Sequence, residues 1–396
     1  LREETIFKRR PRYYLPVKGD GSFHLKYLSH GRYRLYALDD RNKDYLYTLG
    51  TDRIGLPFMD VELTTTHQRI ENFNFVLTTE DTLGPSLFNV KALHHHQFII
   101  AFNEEIKKQT TASVQVIDST SGTPLEVKWL EVDGKDPRSL IVYTAEMKET
   151  KYQARVKGIS DTSGNSLIPP LLEFNFVGSS QKDTLSPRLK TIIPEAGNRS
   201  VAYDSPITFQ FTVPVDSNSL QNNFTLIAPD SSIVNGHWNW YSLLQPIYQP
   251  DGLLQKGARY QVHLNLSKVF DIYGRPYGDS LYQHEFNTLD WSLLGEISGE
   301  VTVQDTSWKQ VIISAEALKG QKKYSLVSTI DKPFIIPFLP EGQYRVKAAI
   351  DISTNGRWDP GKSIPFRYSE PVLVFPDTVS VRKRWTTEGI DFQFIW

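Results

Sequence analysis

The chain has 396 residues, a length that suits two or three domains. Its 44 Lys and Arg against 45 Asp and Glu leave a formal charge of −1, so no long-range field draws in nucleic acid or an anionic membrane. Cysteine is absent, which excludes disulfides, thiolate zinc sites and cysteine nucleophiles, while 19 Tyr and 21 Phe favour β structure.

The chain opens on Leu1, and Arg2, Lys8, Arg9 and Arg10 follow without an apolar run that could act as a signal sequence, so it reads as trimmed. No window reaches the ~18 apolar residues that a spanning helix needs. Period-2 alternation then recurs, as in His24-Leu25-Lys26-Tyr27-Leu28, Arg32-Tyr33-Arg34-Leu35-Tyr36, Ile207-Thr208-Phe209-Gln210-Phe211 and Tyr260-Gln261-Val262-His263-Leu264. Each run predicts a half-buried strand, and turn signals such as Asp133-Gly134 and Asn355-Gly356 separate them. The expected class is all-β, built as β-sandwiches. Short helices are expected only over residues 103–110 and 314–323.

Two internal repeats organise the chain. Residues 23–34 align with 334–345, placing Phe23 on Phe334, Leu28 on Leu339 and Gly31-Arg32-Tyr33-Arg34 on Gly342-Gln343-Tyr344-Arg345. Upstream of them Tyr14 falls on Tyr324, and downstream Asp40 and Asp351 each open a polar loop. Asn72-Phe73-Asn74-Phe75 and Asp391-Phe392-Gln393-Phe394 then close the copies as strands. Between them, Asp81-Thr82-Leu83-Gly84-Pro85 recurs as Asp183-Thr184-Leu185-Ser186-Pro187, Tyr152 as Tyr260, and Asp161-Thr162-Ser163-Gly164 as Asp271-Ile272-Tyr273-Gly274. The predicted order is A-B-B-A: modules 1–78, 79–181, 182–292 and 293–396, with the two A copies at opposite ends of a rod. The first A copy lacks a counterpart to the opening strand at Ile297-Ser298-Gly299-Glu300-Val301, which predicts an unpaired sheet edge.

Three clusters carry candidate chemistry. Asp351, Ser353, Asn355 and Asp359 place oxygens at positions 1, 3, 5 and 9 of a loop with Gly356 at position 6, a spacing that can wrap a calcium ion, although Lys362 stands where a bidentate acid would close the site. The first copy keeps Asp40, Asn42 and Asp44 but has Tyr45 in place of the glycine. The alternative is an Asx-rich turn that caps its own N–H groups. In His94-His95-His96, a strand would turn His94 and His96 to one side, leaving a third ligand such as Glu104 to come from elsewhere. Trp238 and Trp240 share one face of a strand, next to Tyr241 and a long loop over residues 242–254. They form either a binding surface for a sugar or protein, or part of the core.

No G-x-S-x-G, Walker A, G-x-G-x-x-G or H-E-x-x-H pattern occurs, so no enzymatic activity and no cofactor beyond the candidate calcium is expected. The basic clusters at residues 8–12 and 382–384 read as solvated faces.

The B modules, with their D-T-x-x-P start, D-x-x-G turn and closing E-F-N strand, resemble bacterial Ig-like domains of the S-layer-protein type. The A modules, with G-x-F, L-x-x-G-x-Y-R and the loop ending in Trp358-Asp359, resemble carboxypeptidase-regulatory-like or transthyretin-like sandwiches. Together they are similar to Ig-like surface lipoproteins of Gram-negative bacteria. That resemblance implies a lipid anchor on an upstream cysteine, a cell-surface position on the outer membrane, and a non-catalytic role as scaffold or accessory subunit, with an outer-membrane β-barrel or another envelope protein as partner. A glycan-binding or adhesion module is the alternative. Asp-Ser/Thr-aliphatic tripeptides at Asp81, Asp183, Asp279 and Asp377 look like O-glycosylation acceptor sites.

Overall fold

Most runs of alternating side chains become strands, and the fold is all-β. The computed structural model describes residues 5–320 and 322–396. Two compact units emerge: Thr82–Asp290, and Leu1–Asp81 together with Trp291–Trp396.

In the first segment a short helix, α1 (Thr5–Lys8), precedes four three-residue strands: β1 (Gly31–Tyr33), β2 (Ala37–Asp39), β3 (Arg53–Gly55) and β4 (Val61–Leu63). β1 pairs with β4 and β2 with β3, both antiparallel. Tyr47, Ile54 and Leu56 form a small core under Ile6, Phe7, Tyr36 and Leu38.

The unit Thr82–Asp290 holds two sandwiches. The first is made of β5 (Leu87–His94), β6 (Gln97–Phe102), β7 (Ile106–Asp118), β8 (Pro124–Leu125), β9 (Val127–Val132), β10 (Ser139–Thr144), β11 (Lys151–Asp161) and β12 (Leu172–Val177). Its sheets run β5-β6-β10-β9 and β12-β11-β7-β8. Phe98, Ile100, Leu140, Val142, Ala154 and Val156 are fully buried in its core, and each larger apolar side chain contributes roughly 1.5–3 kcal/mol. The second is made of β13 (Leu189–Ile193), β14 (Ile207–Phe211), β15 (Phe224–Ile227), β16 (Gly236–Asn239), β17 (Ile247–Pro250), β18 (Arg259–Asn265) and β19 (Leu281–Asn287), in sheets β13-β14-β17-β16 and β15-β18-β19. A helix, α2 (Ser217–Asn223), starts at Asp216, whose carboxylate accepts the Ser219 N–H at 2.7 Å. Tyr152 and Tyr260, matched in sequence, each accept a backbone N–H on the hydroxyl, from Lys148 (3.0 Å) and Gln255 (2.8 Å).

The last segment comprises β20 (Gly295–Gly299), β21 (Val301–Val303), β22 (Gln310–Ala317), β23 (Lys323–Thr329), β24 (Phe334–Leu339), β25 (Gly342–Ile350), β26 (Val372–Val374), β27 (Val379–Val381), β28 (Thr386–Thr387) and β29 (Phe392–Phe394). One sheet runs β23-β22-β25-β26 with β27 also on β25; β24-β20-β28 and the parallel pair β21-β29 lie beside it. Both helices expected from sequence are corrected to strands. Residues 106–110 open β7, paired to β11, and residues 314–317 end β22, where Ser314, Ala315 and Glu316 pair on both sides. Partner strands outweigh a weak local preference for helix.

The two A segments share backbone detail. Gly31↔Leu63 and Tyr33↔Val61 repeat Gly342↔Val381 and Tyr344↔Val379, while Ala37↔Gly55 and Leu38↔Ile54 repeat Ala348↔Leu373 and Ala349↔Val372. Tyr27 and Phe338 are both left-handed, with φ of 60° and 59°. The Tyr33 hydroxyl donates to the Ser29 carbonyl and the Tyr344 hydroxyl to that of Pro340, a tyrosine corner in each copy.

Two strand expectations for the first copy are corrected. Residues 23–28 and 72–75, counterparts of β24 and β29, are not strands. In the last copy β24 pairs with β20 and β29 with β21, and among the described residues the first copy has neither partner. The two A copies also do not stand at opposite ends of a rod; they pack together. Ser369 donates from its N–H to the Pro57 carbonyl (3.0 Å) and from Oγ to that of Leu56 (2.9 Å), and the Phe58 ring lies 4.3 Å from that of Trp396. Arg34, held by Asp60 at 2.6 Å, sits 4.0 Å over the Phe366 ring and donates to the Tyr368 hydroxyl at 3.0 Å.

Candidate functional site

A cleft of about 600 Å³ opens in the Thr82–Asp290 unit where the two sandwiches meet. Its floor is made by a break in β7. Lys157 pairs with Ser113 but Ile159 pairs with Lys108, so Gln109, Thr110, Thr111 and Ala112 bow out of the ladder. Gly158 makes this possible with a φ of +73° and no room for a Cβ, which would meet the Ala112 backbone at 2.7 Å. Gln109, Thr110 and Ala112 line the cleft, with Trp129 from β9 on one side and Trp240 and Tyr241 beyond β16 on the other.

Lys108 closes the inner end. Its Nζ donates to the carbonyls of Leu130 (2.7 Å) and Tyr241 (3.0 Å) and lies 4.2 Å and 5.1 Å from the ring centres of Trp129 and Tyr241. The Tyr241 hydroxyl donates back to the Lys108 carbonyl at 3.2 Å. Burial pushes the Lys108 ammonium below its usual value. Beside it Glu131, 7% exposed, accepts the Trp129 indole N–H at 2.7 Å. Burial pushes its carboxyl up, opposed by hydrogen bonds from Ser242 and Trp129 and by the charge of Lys108.

Trp238, Trp240 and Tyr241 are neighbours in sequence, and the structure divides them. Trp238 packs into the core against Phe209, Phe224 and Tyr248. Trp240 stacks on Trp238 at 4.8 Å and turns its other side to the cleft, and Tyr241 is 53% exposed. Lys108, Trp129 and Glu131 were not singled out from sequence. The alternation Lys128-Trp129-Leu130-Glu131 is the signal that could have found Trp129 and Glu131; no sequence signal marks Lys108.

A second contact between the sandwiches corrects the strand placement of the histidines. His94 ends β5, and His95 and His96 form the turn to β6. His94 Nε2 is bonded to Gln97 Oε1 (2.7 Å), His95 Nδ1 donates to the Gln181 carbonyl (2.8 Å) and His96 Nδ1 to that of Thr144 (3.2 Å). Among the described residues no metal-ligating trio includes any of the three. The His96 ring stacks on Tyr273 at 4.3 Å, and the Tyr273 hydroxyl donates to the His96 carbonyl at 3.2 Å. In the same turn Arg275 donates to Asp271 (2.7 Å), to Asp183 (3.2 Å) and to the Leu185 carbonyl (3.2 Å), so the Asp-Thr-Leu lead-in is fastened to the module it begins.

In the Asp351 loop the candidate ligands hold one another. Asp351, 1% exposed, accepts N–H groups from Asn355 (3.1 Å) and Gly356 (2.8 Å), and the Ser353 hydroxyl at 3.3 Å. Asn355 donates to Asp359 at 3.1 Å. Glu370, not foreseen, closes the loop by accepting the N–H groups of Ser353 and Asp359, each at 2.9 Å; its burial pushes its carboxyl up. The first copy repeats the geometry. Lys43 and Thr354 (φ 59° and 55°), then Tyr45 and Gly356 (67° and 73°), occupy matching left-handed positions, and Asp40 accepts the N–H groups of Lys43 and Tyr45. A tyrosine in that conformation costs roughly 1–2 kcal/mol. It is offset here by the Tyr14 ring, packed at a tilt with its centre 4.7 Å away, and by Arg10 over its ring. In the four Asp-Ser/Thr-aliphatic tripeptides the hydroxyl residues Thr82, Thr184, Ser280 and Thr378 are all exposed.

Residues 183–288 match the family model of a bacterial Ig-like domain. No curated protein matches the chain in sequence. Among solved structures, an L,D-transpeptidase in complex with imipenem aligns with 12% identity over 37% of this chain and 74% of its own, at a TM-score of 0.22. The L,D-transpeptidase from Mycobacterium smegmatis gives 13% identity, 53% and 90% coverage and a TM-score of 0.23. The chicken CNTN1 FN1–FN3 domains give 11%, 76% and 98%, and 0.17. The chain spans less than half the length of two further L,D-transpeptidase 3 structures, from Mycobacterium tuberculosis. Likenesses at these TM-scores carry no functional argument. Among the described residues, no helix is long and apolar enough to cross a membrane.

Proposed function

We propose that this chain is a non-catalytic module of a bacterial cell-surface protein, held at the outer membrane by a lipid anchor, where it serves as scaffold or accessory subunit for an outer-membrane β-barrel complex. The A-B-B-A modules belong to the same reading. The observation that carries it is the double fastening between the Ig-like sandwiches, through Lys108 and Tyr241 at one contact and His96, Tyr273 and Arg275 at the other. Its charged groups are spent on joining modules, as a part that holds other components at a set spacing requires. The test is affinity purification from detergent-solubilised envelopes. A stoichiometric β-barrel partner, retained by the native chain and lost by an Arg275→Ala, Lys108→Met double variant, supports the scaffold; its absence overturns it.

The cleft favours a second reading, glycan binding, because Trp129, Trp240 and Tyr241 offer aromatic faces with polar neighbours Gln109 and Asn239. Glycan-array binding that disappears in Tyr241→Ala supports it, and an array without signal removes it.

A further inference from the structure

The cleft between the two Ig-like sandwiches is the site of the glycan reading, and resting on that reading we infer that its ligand is an acidic glycan, one whose sugar carries a carboxylate. Two lysines, Lys108 and Lys128, line the cleft, and no acidic residue does. A cleft lined by one sign of charge between low-dielectric walls concentrates ligands of the other sign.

Both strands that border the cleft are irregular. In β9, Trp129 pairs with Tyr143 and Val127 with Thr144, so Lys128 is the extra residue of a bulge, a device that re-aims a side chain out of the alternation. The ion pair that Lys128 makes there, with Glu126, is 3.5 Å long, and Glu126 is 68% exposed. Such a surface pair contributes little, so a ligand carboxylate can take the place of Glu126. In β7, residues 109–112 have no register partner on β11, and β8 covers the other edge at Val116 and Ile117 alone. The bow thus presents main-chain groups to sugar hydroxyls, beside the side chains of Gln109 and Thr110.

The aromatic walls supply faces for the sugar ring, and they are fixed in place. Trp129 donates its indole N–H to Glu131 at 2.7 Å, which turns that buried carboxylate to the back of the ring and away from the lining. Asn239 accepts the Tyr241 N–H on Oδ1 at 3.0 Å, and this leaves its amide nitrogen to donate. A carboxylate accepts hydrogen bonds and gives none, so ammonium and amide donors suit it. An acidic peptide is the poorer occupant: strand addition needs evenly spaced main-chain groups along an edge, and the bow of β7 breaks that spacing.

An array on which uronic- and sialic-acid oligosaccharides are each printed as the free acid and in carboxyl-reduced form tests this. The native chain should hold a free acid about 10-fold more tightly than its reduced form, measured by tryptophan-fluorescence titration. Lys128→Met should bind the two forms alike, and Lys128→Arg should restore the difference, which damage to the fold would not do. Tyr241→Ala should weaken both forms to the same degree. Neutral glycans as the bound set, or a preference for the acid that survives in Lys128→Met, overturn the inference and leave the glycan reading standing. An array without signal overturns both, and so does capture of acidic peptides from a displayed library where no glycan binds.

Discussion

Asn165 and Arg275 stand at the same place in two copies of one turn, and each reaches back to the carbonyl of the leucine that begins its module. Asn165 donates to Leu83 at 3.5 Å and Arg275 to Leu185 at 3.2 Å. Both also bind the aspartate that opens the turn, Asp161 and Asp271, which are 1% exposed. The repeated Asp-Thr-Leu and Asp-x-x-Gly sequences are therefore the two halves of one latch.

Arg275→Ala should leave the Asp271 carboxylate buried without its cation. The expected loss is about 1–3 kcal/mol, below that of a fully buried pair because the guanidinium is one-third exposed. Arg275→Lys should recover only part, since an ammonium cannot reach Asp271, Asp183 and Leu185 together. Urea titration followed by tryptophan fluorescence measures both; a change within ~0.5 kcal/mol would count against the latch.

Acid should weaken the Thr82–Asp290 unit. Burial depresses the imidazoles of His94, His96 and His284, so as pH falls through ~6.5 the unfolded chain takes up protons first and stability present above that pH is lost. His284 donates from Nε2 to the Pro194 carbonyl at 2.8 Å, and its buried Nδ1 has no partner, so a second proton there has nowhere to bond. Between pH 5.5 and 7.5, His284→Gln should flatten the rise of stability with pH by up to about 1.4 kcal/mol per unit. Glu131, raised by burial, works in the opposite sense at lower pH, because the native state keeps its proton longer. Identical slopes for native and variant would refute the assignment to His284.

Lys108→Met keeps the stem and removes two hydrogen bonds and the contact with two rings. A loss of about 1–3 kcal/mol is expected, with the single calorimetric transition of the two sandwiches splitting into two. Tyr241→Phe, which deletes one hydrogen bond, should cost about 0.5–1.5 kcal/mol without splitting. A single sharp transition in Lys108→Met would show that this contact does not couple them.

Asp351→Asn should destabilise the last module by about 1–3 kcal/mol whether or not a chelator is present, because the carboxylate holds the N–H groups of Asn355 and Gly356. Thermal melts with EDTA and with millimolar calcium check this. A calcium-dependent rise in Tm that vanishes in the variant would instead make the loop a cation site.

Alternation and the two repeats were enough to read an all-β chain, and the Tyr33 and Tyr344 corners show how local that information is. What escaped the sequence is what depends on distant partners. Residues 72–75 alternate as well as residues 391–394 do, yet among the described residues the latter pair with β21 and the former with no strand. Residues 94–96 contain no glycine or asparagine to announce a turn. Glu370 closes a loop that begins nineteen positions earlier, and Lys108 resembles any solvent-facing strand lysine until Trp129 and Tyr241 enclose it. The pairing of Trp238 and Trp240 on one face was legible; which of them would also line the cleft was not.

The loop between β25 and β26 is longer than its counterpart between β2 and β3, and the longer version carries Phe366, Tyr368 and Ser369 onto the first copy. The two segments thus take unequal parts in their contact: the last one reaches out with an arm, and the first is the seat for it. A change that shortens the arm should therefore be felt first in the opposite end of the polypeptide, hundreds of residues away in sequence.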